Sequence, residues 1–155
     1  MIRRAEEKDI PQIMALLGQV CNVHAKGRPD LFVMGGTKYD EKQLKAILAD
    51  DSTPVFACCG DDDVMVGYAF CVLKEPTSDT ATTDIRSLYI DDICVDENAR
   101  GQHIGTQLYE AVKAFAKEAG CYNITLNVWE KNPAARAFYE AMGMSVQKTC
   151  MEELL

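Results

Sequence analysis

The segment Asp91-Asp92-Ile93-Cys94-Val95-Asp96-Glu97-Asn98-Ala99-Arg100-Gly101-Gln102-His103-Ile104-Gly105-Thr106 gathers the residue types in this chain best suited to chemistry. It reads as a strand, a short turn and a loop that runs straight into a helix. Such a loop aims unpaired backbone N–H groups and the positive end of a helix dipole at one point, where a phosphate or pyrophosphate is the natural occupant. Gly101 and Gly105 let a ligand approach the backbone, and Arg100 adds a positive charge. Glycines before a helix also serve as plain turn residues, and the loop taken alone leaves both readings open. It is not a P-loop, since no Gly-Lys-Ser/Thr follows, nor a dinucleotide fingerprint, since no early βαβ unit opens the chain. Asp91 and Asp92 are candidate proton acceptors. Alternation along a strand sends them to opposite faces, so at most one is expected to face a cleft directly.

Holding these residues in place falls to the elements around them. Ile2 to Ala5 is a short strand candidate. Asp9 is expected to cap a helix whose apolar residues, Ile10, Ile13, Met14, Leu17, Val20 and Cys21, fall on one face. Gly27 and Pro29 end it, and Gly35-Gly36 leads to a second helix from Asp40 to Ala49. Pro54–Cys59 and Val64–Leu73 read as a hairpin turned by Asp61-Asp62-Asp63. After the polar loop Lys74–Asp84, Ser87–Val95 is a strong strand. The helix from Ile104 carries Leu108, Ala111, Val112, Phe115 and Ala119 on its apolar face and stops at Gly120. Asn123–Trp129 reads as a further strand. Asn132 and Pro133 open a last helix that Gly143 closes, and Met144–Met151 is expected to form a terminal strand. The strand–helix–strand unit from Ser87 to Trp129 demands a right-handed crossover and a parallel pair, whereas the earlier hairpin is antiparallel. The expectation is a single α/β domain over residues 1–155, with a mixed central sheet flanked by helices on both faces.

Three stretches, in order, resemble the GCN5-related N-acetyltransferase (GNAT) family. Arg100-Gly101-Gln102-His103-Ile104-Gly105 is similar to that family's acyl-CoA pyrophosphate loop, Gln/Arg-x-x-Gly-x-Gly/Ala, with His103 where the family usually has Gly. Tyr89-Ile90-Asp91-Asp92-Ile93-Cys94-Val95 resembles the strand on which the pantetheine arm lies. Asn132-Pro133-Ala134-Ala135-Arg136-Ala137-Phe138-Tyr139-Glu140-Ala141-Met142-Gly143-Met144 resembles the late motif Asn-x-x-Ala-x-x-Phe-Tyr-x-x-x-Gly-Phe, with Met144 replacing the usual aromatic residue.

The resemblance implies direct transfer of an acetyl group from acetyl-CoA to an amine. Acetyl-CoA or coenzyme A would be held by the backbone of Gly101, Gln102, His103, Ile104, Gly105 and Thr106, with Arg100 as charge partner. The pantetheine and acetyl oxygens would meet main-chain groups of Ile93, Cys94 and Val95, where this strand parts from Asn123–Trp129. Tyr139 would be the acid that protonates the leaving thiolate. Asp91 matches the acidic position of polyamine-type relatives and is the candidate base, acting through water; a solvated or capping carboxylate is an equal reading. Asn132 is both a helix cap and a candidate ligand of the pantetheine amide, and Arg136 either reaches a CoA phosphate or stays solvated.

A net charge of -8 excludes a basic nucleic-acid surface and mildly favours cationic acceptors. Seven cysteines, an odd number without CxxC or Cys-His spacing, indicate no metal site and suit a reduced, cytoplasmic chain. No apolar stretch approaches a membrane span. The expected acceptor is a small-molecule amine. A protein or peptide amine, a non-catalytic acyl-CoA sensor and an unrelated nucleotide-binding domain are the alternatives, and homodimers formed through exposed strands are compatible with the resemblance.

Overall fold

The computed structural model describes residues 1–155. Its elements are β1 (Ile2–Arg4), α1 (Ile10–Gly27), α2 (Glu41–Ala49), β2 (Val55–Cys59), β3 (Met65–Lys74), β4 (Ser87–Val95), α3 (Ile104–Glu118), β5 (Asn123–Leu126) and α4 (Pro133–Ala141). The sheet runs β1-β2-β3-β4-β5 in sequence order. The first four strands pair antiparallel, and β4 pairs parallel with β5 across the α3 crossover. The mixed sheet with helices on both faces is therefore present as expected.

Each face has its own core. Ile10, Ile13 and Leu17 of α1 and Leu44 of α2 pack on Tyr68 and Phe70. On the other face Leu108 and Val112 of α3 pack on Leu88 and Ile90, with Phe138 and Tyr139 of α4 at the margin. Covered on both sides, β2 and most of β3 are continuously buried, which explains their unbroken apolar runs. Each fully buried leucine or isoleucine contributes about 1.5–3 kcal/mol. No helix is long and apolar enough to cross a membrane.

Gly67 seats α3. A Cβ there would lie 3.0 Å from the Cys94 carbonyl oxygen, 3.1 Å from Ile104 and 3.2 Å from Leu108. The first turn of α3 thus rests directly on the sheet, close to the end of β4.

Three expectations need correction. Met144–Met151 forms no strand: a strand needs a ladder partner, and the sheet ends at β5. β5 stops at Leu126 instead of continuing to Trp129. Asp9 does not cap α1 with its side chain. Its buried carboxylate accepts from both terminal nitrogens of Arg3 (2.7 and 2.9 Å) and from the Glu6 amide (2.8 Å), because a buried charge requires a partner. Burial alone would raise the Asp9 pKa, but the Arg3 hydrogen bonds and the Glu6 amide outweigh it and hold the carboxyl below its ordinary value.

Candidate active site

The β3–β4 pairing sets Phe70 opposite Asp92 and Cys71 opposite Ile90, which leaves Asp91 as the extra residue of a bulge. The bulge cancels the alternation expected of a regular strand. Both carboxylates consequently turn to the α1–α2 face. Asp92 accepts from the Tyr68 hydroxyl at 2.6 Å. Asp91 accepts from the Tyr39 hydroxyl at 2.7 Å and from Lys38 Nζ at 2.6 Å. The Phe70 ring stands between the two tyrosines, 4.9 Å from Tyr68 and 5.8 Å from Tyr39, and fixes both phenols.

The two carboxylates differ electrically. Burial raises the Asp92 pKa to about 6, with the Tyr68 hydrogen bond opposing the rise and the Asp91 charge assisting it. Burial and the Asp91 carboxylate push the Tyr39 phenol up to about 12. Burial pulls the Lys38 pKa down, but the hydrogen bond and charge of Asp91 more than reverse this, so the ammonium form is favoured.

Next to the bulge, β4 loses a neighbour. Its pairing with β5 ends at Ile90 opposite Leu126, while β4 itself continues to Val95. Ile93, Cys94 and Val95 thus line a parting between the strands. Tyr139 approaches from the opposite face, half-buried, with its ring 5.1 Å from Phe138. Burial raises its pKa, and the Asp92 charge raises it further. The phenol therefore stays protonated throughout the neutral range while lying within the field of the Asp92 carboxylate.

The loop before α3 is shaped for an anion. Gly101 has φ +81° and His103 has φ +57°, so two left-handed residues curl the backbone into the helix. The left-handed conformation explains why glycine usually stands at the position of His103; histidine is among the few other residues that enter it readily. The His103 side chain is exposed. The backbone N–H groups of Gly101 through Thr106 donate to no protein acceptor. All of these residues except Gln102 border a cavity of about 290 Å³ whose walls also include Val95, Arg100 and Phe138. A Cβ on Gly105 would meet the Phe138 ring at 3.4 Å, so the glycine both opens the cavity and receives α4.

Two nominated residues lie apart from this loop. The Asn132 side chain caps α4 by accepting from the Ala135 amide at 3.2 Å, and it borders a different recess with His24, Arg28, Phe32 and Trp129. Arg136 is exposed and pairs with Glu140 at 2.9 Å and Glu130 at 3.9 Å. Residues that sequence reasoning missed complete the site. Lys38 and Tyr39 lie in the unpatterned loop before α2, and Tyr68 reads as an ordinary strand aromatic. Phe32 and Trp129 meet edge to face at 5.2 Å, with the His24 ring 5.0 Å from Phe32. Burial and the Lys38 charge lower the His24 pKa, which favours its neutral ring.

The profile of the Acetyltransferase (GNAT) family matches residues 19–144. The chain belongs to that family. It is 28% identical over 153 residues to the thialysine N-epsilon-acetyltransferase of Bos taurus, covering 92% of this chain and 82% of that protein. It is 31% identical over 99 residues to the glucosamine 6-phosphate N-acetyltransferase of Arabidopsis thaliana, covering 56% and 61% of the two chains. A mutant of the BH1408 protein from Bacillus halodurans superposes with a TM-score of 0.95 at 29% identity, over 100% of this chain and 99% of that one. The aminoglycoside N-acetyltransferase AAC(6')-Iy, solved in complex with CoA, shares the fold with a TM-score of 0.75 at 15% identity, over 100% and 98% of the chains.

Proposed function

We propose that this GNAT protein transfers the acetyl group of acetyl-CoA to a primary amine of a small molecule by direct attack while both are bound. The observation that carries the reading is the parting of β4 and β5 beside a loop with free amides, with Tyr139 of α4 packed on one face of the sheet and within the field of the Asp92 carboxylate on the other. The amides of Gly101 to Thr106 and the Arg100 guanidinium would bind the pyrophosphate. The pantetheine arm would then run along Ile93, Cys94 and Val95. An acidic chain repels an anionic ligand at range, but salt screens that beyond about 8 Å, and local donors decide.

In the reaction the amine nitrogen bonds to the thioester carbon and the carbon–sulfur bond breaks, with the electron pair leaving on sulfur. A primary amine must first lose a proton. Asp91, the base nominated from sequence, is already engaged by Lys38 and Tyr39. Asp92 suits that role better. Its pKa of about 6 leaves it ionised at neutral pH yet basic enough to accept a proton, directly or through water. Asp91 then anchors positive charge beside it. Tyr139 donates its hydrogen bond, and on departure its proton, to the CoA sulfur, and the second proton that the nitrogen sheds as the amide forms returns the tyrosine to its phenol.

A small acceptor agrees with the names of the relatives, which act on thialysine and on glucosamine 6-phosphate. Calorimetry with acetyl-CoA on the native protein, Arg100→Ala and Gly105→Glu tests the cofactor half of the reading. Tight native binding that weakens at least about tenfold in both variants is expected, given several charge-assisted contacts. No binding by the folded native protein would overturn the reading. A panel of small amines and N-terminal peptides then tests the acceptor; turnover of peptides alone would replace the small molecule with a protein amine.

A further inference from the structure

The loop joining α1 to α2 brings an ammonium of the chain itself onto the carboxylate beside the candidate base. Lys38 Nζ lies 2.6 Å from one Asp91 oxygen, while Tyr39 donates to the other. The two partners differ in setting: the Asp91 side chain is 13% exposed and that of Lys38 is 53% exposed. A recessed carboxylate is thus reached by a long side chain entering from solvent. Such a pair pays side-chain entropy and returns little stability. Nothing in the packing of β4 requires Lys38, because the bulge and Tyr39 already fix Asp91. The His24, Phe32 and Trp129 rings cluster at the C-terminal end of α1, and aromatic faces of this kind favour cations. Lys38 is close enough to this cluster for its charge to act on His24.

We propose that Lys38 is a displaceable internal ligand of Asp91, exchanged for the second cationic amine of a diamine-type acceptor. Lys38 then sets the charge selectivity of the cleft. An acceptor ammonium takes over the hydrogen bond to Asp91 at no loss of pairing, while its other amine lies towards Asp92. A neutral acceptor gains nothing from displacing Lys38. This inference rests on the transferase reading above.

The test is calorimetric binding of 1,4-diaminobutane and of its neutral analogue butane-1,4-diol to the full chain in the native, Lys38→Met, Lys38→Arg and Asp91→Asn forms. Lys38→Met should bind the diamine about fivefold more tightly than native, the size of one solvent-reached ion pair removed as competitor. Lys38→Arg, which keeps the pair, should behave like native, and Asp91→Asn should lose most diamine affinity. The neutral diol should gain no affinity across the Lys38 series. Unchanged or weaker diamine binding by Lys38→Met, an equal gain for the diol, or no diamine binding by any form would overturn the proposal. Acetyl-CoA binding by the same proteins reports on the transferase reading separately, since Lys38 lies away from the loop before α3.

Discussion

Asp91 and Asp92 are neighbours in β4, yet both project onto the α1–α2 face, because Asp91 is the unpaired residue of a bulge opposite Phe70 and Cys71. One strand irregularity thereby produces two carboxylates with different surroundings. Asp91 is saturated by donors, whereas Asp92 has one hydroxyl partner and a raised pKa of about 6.

The raised pKa has a stability cost that can be measured. A carboxyl that titrates at about 6 when folded and near ~3.9 when unfolded stabilises the fold fully only below the unfolded value. That contribution is lost as pH rises through the folded pKa. Asp92→Asn, which still accepts from Tyr68, should therefore be more stable than native at pH 7.5, by roughly 1–3 kcal/mol, and indistinguishable near pH 3.5. Denaturant melts at the two pH values check this. Activity should fall in the same variant, and the acidic limb of kcat/KM near pH 6 should disappear with it.

Tyr139→Phe removes only the hydroxyl. The half-buried ring and its contact with Phe138 persist, so acetyl-CoA should bind within about twofold of native while kcat drops on the order of 10²-fold or more. Single-turnover acetyl transfer separates the two effects. An unchanged chemical step would remove Tyr139 from the mechanism.

His103 should respond to backbone conformation rather than to side-chain chemistry. With φ at +57°, His103→Gly should match or slightly exceed native stability and keep acetyl-CoA affinity. His103→Val should lose about 1–2 kcal/mol, because a β-branched residue resists the left-handed region, and should bind acetyl-CoA more weakly. Thermal unfolding with calorimetry on both variants is the measurement. If both lost affinity alike, the imidazole itself would be a ligand.

Gly67→Ala should destabilise by about 1–3 kcal/mol, since its methyl group would meet the Cys94 carbonyl, Ile104 and Leu108 at once. Relief by lifting α3 would also displace the loop at Gly101–Thr106. Acetyl-CoA affinity should consequently fall together with stability, although Gly67 is outside the cavity wall.

The sequence by itself determined the element order, the mixed sheet, the loop at Arg100–Thr106 that runs into α3 and the position of Tyr139 in α4. Each rests on local signals: apolar periodicity, capping residues and glycines at the turns that need them, and motif spacing along the chain. It also suggested the end of β5 and a terminal strand, but these depended on partners, and the Met144–Met151 segment has none in this chain. The surroundings of the two carboxylates lay beyond local reading. Which of them is the less engaged depends on a register shift between β3 and β4 and on Lys38 and Tyr39, more than fifty residues away in the chain. Burial, pairing and field are properties of what surrounds a group in space. Only the tertiary structure turns Tyr68 and Asp92 to one face of the sheet and packs Tyr139 on the other, where the Asp92 charge acts on its phenol.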